Sequence, residues 1–305
     1  MHDKLMESKL AIIIPFYKEK YFRSTLESLK NQSNRNFSVY IGNDNSPEKI
    51  DGLLTEFSDF TNFKYEKFKG NLGGENLVSQ WDRCIALSEN EEFLMILGDD
   101  DVLEKNVVEE FYNFIEKANY FDINVIRFAS QLIDENGSII SDVYENPEIE
   151  KAADSFMRII KGAGRSSLSE HVFSRKAYEK HGFKNFPVAF GSDNVAWLEF
   201  PEMGNIYSIN SAKVLVRISG EHLSSSKDSG LALKRKEGIH LFTKYIIENY
   251  SAYFKHEDLI LILKKSYRNL RYFSRDKLRT LKFINLMFRK IGFSAFSIVR
   301  ENRFN

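Results

Sequence analysis

The chain has a single cysteine, Cys84, among 305 residues. One thiol excludes an internal disulfide framework and any zinc site built from several cysteines. Long hydrophobic runs are missing too. Segments such as "LAIIIPF" and "FLMIL" fall well short of the ~20 residues that span a bilayer. The first residues, "MHDKLMESK", lack the apolar stretch of a signal peptide. No internal repeat, low-complexity tract or Gly-x-x-x-x-Gly-Lys-Ser/Thr phosphate loop occurs. No nucleic-acid recognition motif is present either. These absences favour a soluble protein of a reducing compartment, the cytosol first.

What is present can build a sizeable core. With 43% hydrophobic residues, the chain is long enough for one large domain, or one domain with an appendage. The formal net charge of +0 conceals an asymmetry. Residues 264–305 hold 12 Lys and Arg against 2 Asp and Glu, so an acidic body is joined to a basic tail.

Short β-like runs alternate with helical patterns through the first half. "LAIIIPF" (10–16), "FSVYIGND" (37–44), "FKYEKF" (63–68) and "EFLMIL" (92–97) read as buried strands. Phe22, Leu26 and Leu29 have helical spacing, and a helical stretch is expected from Pro47 to Phe57. Leu77, Trp81 and Cys84 trace another helix face, with Trp81 and Cys84 as core. Val107, Val108, Phe111 and Ile115 trace the next. Strands alternating with helices imply an α/β fold with a mostly parallel central sheet and helices on both faces. The second half is less regular. "INVIRFASQLIDENGSII" suggests a strand and hairpin turning at Asn136-Gly137, "KVLVRIS" (213–219) is extended, and everything from about Leu231 onward reads as helix.

In open α/β sheets ligands bind beyond the carboxyl ends of the strands. Three polar motifs fall at such ends: Pro15-Phe16-Tyr17, Asn43-Asp44-Asn45-Ser46, and Gly98-Asp99-Asp100-Asp101. Three successive carboxylates after an apolar strand repel one another unless a positive partner is near. Oxygen ligands on a loop suit a hard divalent cation, Mg²⁺ or Mn²⁺, which takes one or two carboxylates plus substrate phosphates and water. Capping of the following helix is the plainer alternative. Asp44-Asn45-Ser46 likewise suits an ordinary turn, and "GNLGGENL" (70–77) offers glycines and a helix N-terminus that favour close approach of an anion.

Taken in order, "IIIPFYK", "YIGNDNSPE", "GNLGGENLVSQWDRC" and "LMILGDDDVL" resemble glycosyltransferase family 2, over about residues 10–225. The resemblance implies a GT-A (Rossmann-like) fold that binds a nucleotide-diphosphate sugar, most often a UDP-sugar. It makes the acidic triplet a DXD motif. Asp101 then meets the Mn²⁺ or Mg²⁺ that bridges the diphosphate, Asp99 lies toward the ribose or sugar and metal, and Asp100 lies between. It also places Pro15 and Tyr17 at the base and ribose, Asp44 on the base, and Asn71 and Gly73 beside the nucleotide. Many relatives carry an arginine soon after the glycine turn. Here that stretch is "ENLVSQ" and the nearest arginine is Arg83.

For the acceptor side, "HVFSRKAYEKHGFKNFPVAFGSDNVAWLEF" (171–200) resembles the family segment that ends in an acidic motif, often Glu-Asp, at the start of a helix. Ser192-Asp193 stands there. Asp193 matches the general base of inverting members, and a simple helix N-cap is its other reading. "VRISGEHLSS" (216–225) resembles the closing strand and loop, Arg-x-His-Gly-x-x-x-Ser. Arg217 and Gly220 match, Ser219 replaces the histidine, and His222 follows three positions later. Arg217 is expected to contact the nucleotide sugar or a carboxylate.

The organisation expected is therefore residues 1–228 as the catalytic domain and 229–305 as a basic helical C-terminal region. Within the former, about 10–118 bind the nucleotide sugar and 119–228 form the acceptor half. On a helical wheel Arg275, Arg279, Lys282, Arg289 and Lys290 oppose Ile284, Met287, Phe288 and Ile291. That pattern suits either a peripheral membrane contact through 264–305, as a lipid-linked acceptor would favour, or packing on the body or in a homodimer. The expected activity is inverting transfer of a sugar to a hydroxyl of a glycan or lipid-linked acceptor in surface-polysaccharide synthesis. A metal-dependent nucleotidyltransferase and a non-catalytic scaffold are the rivals.

Overall fold

The computed structural model describes residues 8–57, 62–117, 123–219 and 228–301. Gly220 and His222 lie outside the described residues.

The first half follows the expected alternation. β1 (Leu10–Phe16), α1 (Phe22–Lys30), β2 (Ser38–Asn43), α2 (Asp51–Phe57), β3 (Asn62–Lys67), α3 (Leu77–Ile85) and β4 (Phe93–Ile96) succeed one another. After the short β5 (Val102–Leu103) come α4 (Val107–Lys117), β6 (Val125–Ile133), β7 (Ile149–Lys151) and α5 (Ala152–Ile160). β8 (His171–Ser174), α6 (Arg175–His181), α7 (Ser192–Glu199) and β9 (Asn205–Arg217) complete the sheet-bearing part. The rest is helical: α8 (Ser229–Tyr250), α9 (His256–Phe273), α10 (Lys277–Ile291) and α11 (Ser294–Glu301).

One sheet runs in the order β3-β2-β1-β4-β8-β6-β9-β5, with β7 paired to β9. β1 to β4 pair in parallel, as do β6 and β9, whereas β8, β5 and β7 pair antiparallel to their neighbours. Strand alternation explains how both faces are covered. In β1, Leu10, Ile12 and Ile14 enter one hydrophobic cluster with Phe22, Leu26, Leu53, Val108 and Phe111. Ala11 and Ile13 point the other way, into a second cluster with Trp81, Cys84, Phe173 and Trp197. Trp81 and Cys84 are thus core, and burial pushes the Cys84 thiol up to about 12.

The second cluster runs without interruption into Phe242, Ile246, Leu263, Met287 and Ile298. The C-terminal helices therefore share the core of the sheet rather than owning a separate one. This decides the fate of the amphipathic helix in the tail. Met287 and Ile291 of α10 are buried and Ile284 and Phe288 pack against the same cluster, so the apolar side is covered by the chain itself. What α10 leaves to the exterior is its basic side with Leu278 and Leu281.

Two local expectations shift. Helix α2 begins at Asp51 rather than Pro47, because residues 43–48 are committed to a turn. The Asn43 side chain accepts from the Ser46 amide, the Ser46 hydroxyl accepts from the Glu48 amide, and Asn45 has φ 56°. The turn at Asn136-Gly137 is present, with Gly137 at φ 83° and the Asp134 carboxylate accepting from the amides of Asn136 and Ser138. Its return arm makes only isolated bridges, Ile133 to Ile139 and Ser130 to Tyr144, instead of a strand.

Candidate active site

The three polar motifs expected at strand ends are stitched into one crevice. At the end of β4, the Asp99 carboxylate accepts from the backbone amides of Tyr17 and Lys18, at 2.8 and 2.9 Å. The Ser46 hydroxyl, past the end of β2, donates to the Tyr17 carbonyl at 2.6 Å. Carboxylate acceptance of two amides is a strong, charge-assisted arrangement, so Asp99 fixes the path of the chain leaving β1. Pro15 is half-buried beneath it and Tyr17 is exposed.

Asp44 sits deeper, 5% exposed. It accepts from the amides of Leu72 and Gly73 at 2.7 and 2.8 Å and from the guanidinium of Arg83. The glycine turn is drawn onto β2 by this carboxylate. Gly73 is required there, since a Cβ would lie 2.7 Å from Asp44 Oδ2. Asn71 is exposed on the turn and accepts from the Gly74 amide. Arg83, the nearest arginine to the turn, is brought back to it by the fold. It reaches back from α3, stacks 4.1 Å over Phe68 and also donates to the Gly70 carbonyl. Fold proximity, not sequence proximity, supplies the cation.

The triplet is the electrostatic centre. Burial, followed by the charge of Asp101, holds the Asp99 carboxyl up to about 6, against the pull of the Lys18 and Tyr17 amides. Asp100 rises further, to about 8, through burial and then the charges of Asp101 and Asp99. Asp101 is 6% exposed, accepts from the Ser169 hydroxyl at 2.5 Å and from the Arg217 amide at 2.9 Å, and is also shifted upward by burial. Buried carboxylates that push one another's pKa up mark a place short of positive charge, which fits a hard divalent cation. Among the described residues no three His, Cys, Asp or Glu side chains are grouped to enclose a metal. An ion at the triplet would therefore be completed by ligand oxygens and water.

Arg217 has a different place from the one expected. It is 4% exposed, and its guanidinium donates to the carbonyls of Asp100 and Asp134 at 3.0 and 2.7 Å and to the Ser24 hydroxyl at 3.2 Å, while stacking on Tyr21. Its donors are turned into the protein behind the triplet. Arg217 thus holds Asp100 and Asp101 in place instead of facing the crevice.

The segment before β8 meets the triplet directly. Ser169 links Asp101 to the Gly98 amide, which donates to its hydroxyl at 3.0 Å. Next to it, Glu170 is buried and accepts from the Ser167 amide and hydroxyl, with Arg165 3.6 Å away. Arg165 pulls the Asp101 carboxyl down, and Glu170 pushes that of Asp193 up. Asp193 is half-buried in the first turn of α7, and burial is the main cause of its raised pKa. It does not cap the helix: the capping position is Gly191, and no side chain bonds there. Ser169, Glu170 and Arg165 gave no sequence signal beyond a polar run directly before a buried strand.

Helix α7 is bolted from behind. His171, neutral because burial lowers it to about 4, stacks on Trp197 with ring centres 4.1 Å apart. Buried Glu199 accepts from Tyr245 and Tyr250 of α8, at 2.6 and 2.7 Å, and lies 3.1 Å from Lys184. The basic C-terminal region therefore begins with a helix that braces the one carrying Asp193.

This architecture is that of solved nucleotide-sugar enzymes of the GT-A type. The structure of S. aureus TarS 1–349 in complex with UDP-GlcNAc superposes with a TM-score of 0.65 at 18% identity, covering 92% of this chain and 80% of that one. A longer S. aureus TarS structure gives 0.63 at 17% identity, over 95% of this chain and 50% of the other. In sequence, the model of the glycosyl transferase family 2 matches residues 11–180, and the chain belongs to that family. A Rickettsia bellii (strain RML369-C) protein named an uncharacterized glycosyltransferase is 22% identical over 80% of this chain, which spans only 33% of that relative. The putative glycosyltransferase EpsH of Bacillus subtilis (strain 168) is 22% identical over 84% of this chain and 75% of its own length.

Proposed function

We propose that this protein moves a sugar from a nucleotide-diphosphate donor, a UDP-sugar first, to a hydroxyl of a glycan or lipid-linked acceptor, with inversion, in surface-polysaccharide synthesis. The observation that carries the reading is the stitching of the Pro15, Asp44 and Asp99–Asp101 segments into one crevice. Family membership supports the reaction class, and the likeness to TarS, solved with UDP-GlcNAc, supports the choice of nucleotide.

In this reading Tyr17 and Pro15 flank the base and ribose, and the turn at Asn71–Gly73, anchored by Asp44, forms the wall beside them. Asp101 and Asp99 would hold Mn²⁺ or Mg²⁺, with Asp100 between them. When bound, such an ion neutralises the charge that gathers on the leaving diphosphate. Asp193 takes the proton of the acceptor hydroxyl as its oxygen bonds to the anomeric carbon, and the bond from that carbon to the diphosphate oxygen breaks on the opposite side. A base of this kind contributes ~10²–10⁴-fold, and a raised carboxyl pKa improves its proton affinity. Holding donor and acceptor in line removes further entropic cost.

The experiment is calorimetry with UDP, GDP and dTDP in the presence and absence of Mn²⁺, followed by product analysis with the corresponding sugars. Metal-dependent UDP binding and release of UDP are expected. Release of pyrophosphate from UTP and a sugar 1-phosphate, supplied in a parallel assay, would instead assign a nucleotidyltransferase, and no nucleotide binding would leave a scaffold.

A further inference from the structure

A second site lies away from the strand ends, in the helical region. Between α8 and α10 is a cleft of about 420 Å³ whose rim carries Lys244, Arg279, Lys282 and Arg289. Its floor is His240, Phe283 and Leu286. The volume falls within the ~300–1,000 Å³ of small-molecule sites. The face of α8 that lines it differs from the face that packs on α7 through Phe242, because positions 240, 244 and 248 recur at one helical spacing and 238, 242 and 246 at another.

The charges around this cleft do not cancel. Lys244 pairs with Glu248 at 3.0 Å and Arg279 with Glu237 at 3.3 Å. Lys282 and Arg289 are exposed and have no carboxylate within 4.0 Å among the described residues. The floor adds no compensating anion. Burial, with Arg279 and Lys244 adding to it, keeps His240 neutral, down to about 4. Two unmatched cations converge on a pocket with an aromatic floor.

We propose that this cleft binds the phosphate group of an anionic ligand, separately from the donor site. A phosphomonoester carries about −1.5 to −2 charge at neutral pH, which matches the two unmatched cations. The guanidinium of Arg289 offers the bidentate fork that suits phosphate oxygens. A ring or chain attached to the phosphate can rest on Phe283 and Leu286. The proposal does not depend on sugar transfer at the other site.

The test uses the full chain in EDTA, so that the donor site has no divalent ion. Inorganic phosphate, a hexose 1-phosphate and vesicles of phosphatidic acid, a lipid phosphomonoester, in phosphatidylcholine are titrated, with binding read by calorimetry and by the His240 imidazole NMR signal. A saturable response to the soluble phosphates, or to the anionic vesicles but not to phosphatidylcholine alone, is expected. The first outcome assigns a soluble phosphate ligand and the second a lipid headgroup. The double variant Lys282→Glu/Arg289→Glu should weaken binding by about tenfold or more. Lys282→Gln/Arg289→Gln serves if charge reversal disturbs folding. The site is overturned if wild type gives no saturable response to any probe, or if the folded double variants bind as tightly as wild type.

Discussion

Gly191, which precedes α7, lies against the ring of Phe242 on α8: a Cβ placed there would be 2.1 Å from Cδ1. Its φ of 92° is also one that side chains disfavour. The start of the helix bearing Asp193 is therefore set by contact with the C-terminal region. Gly191→Ala should lower the melting temperature and cut the transfer rate by more than tenfold (about 1.4 kcal/mol), with donor affinity little changed. Adding Phe242→Ala should recover part of that rate, since the clash is gone while the φ strain stays. Unchanged turnover in Gly191→Ala would dismiss the brace.

Asp193→Asn keeps the shape of the side chain and removes its basicity. Donor binding should persist while transfer falls by ~10²–10⁴-fold. Because burial raises the Asp193 carboxyl, the base of the wild-type enzyme is lost to protonation at a higher pH than an ordinary aspartate near ~3.9. The acid limb of kcat against pH should sit above that value.

The crowded triplet makes a prediction for the metal-free protein. With Asp100 pushed up to about 8, the folded state keeps a proton that the unfolded chain releases near ~3.9. That contribution to stability is whole below the unfolded value and is lost as pH rises toward the folded one. Asp100→Asn should therefore melt higher than wild type, by a margin that widens between pH 5 and 8 (about the window of those two values). Mn²⁺ with UDP should narrow the margin, because an ion held by Asp99 and Asp101 also offsets the Asp100 charge that only the wild type carries. Thermal scans across pH check both halves.

Arg83 and Asp44 form the tie that draws the glycine turn onto the sheet. Arg83→Ala leaves Asp44 buried with fewer donors, a loss of about 1–3 kcal/mol. Nucleotide affinity should fall with it, since residues 70–74 lose their anchor. Arg83→Lys should restore stability only in part, because an ammonium cannot also stack flat on Phe68. Full restoration of nucleotide binding by lysine would argue that charge alone is needed.

Much of the crevice at the strand ends was legible in the chain. Strands β1, β2 and β4 end in polar motifs, and runs such as "LAIIIPF" announce strands covered on both faces. The sheet then places their ends together, which is why Tyr17, Asp44 and Asp99 could be named before any contact was known. Less could be read after residue 119. Arg217 looked like a ligand contact because it matches the arginine of the closing strand and loop in the family it resembles. Its guanidinium instead meets backbone carbonyls that come from residues 100 and 134. No local pattern encodes such a meeting. Ser169 and Glu170 were passed over for the same reason, and the two sides of α10, plain on a helical wheel, could be given no partner until its neighbours were known.

The sequence by itself determined the alternation of elements, the buried strands and the acidic triplet, because hydrophobic periodicity and like-charge crowding are local properties. Only the tertiary structure decided which carboxylates are tied up by protein donors, that Arg83 reaches Asp44, and that the C-terminal helices complete the core and brace α7. Those facts depend on side chains far apart in the chain being brought within hydrogen-bonding or packing distance, and the free energy of such contacts exists only once the whole sheet is formed.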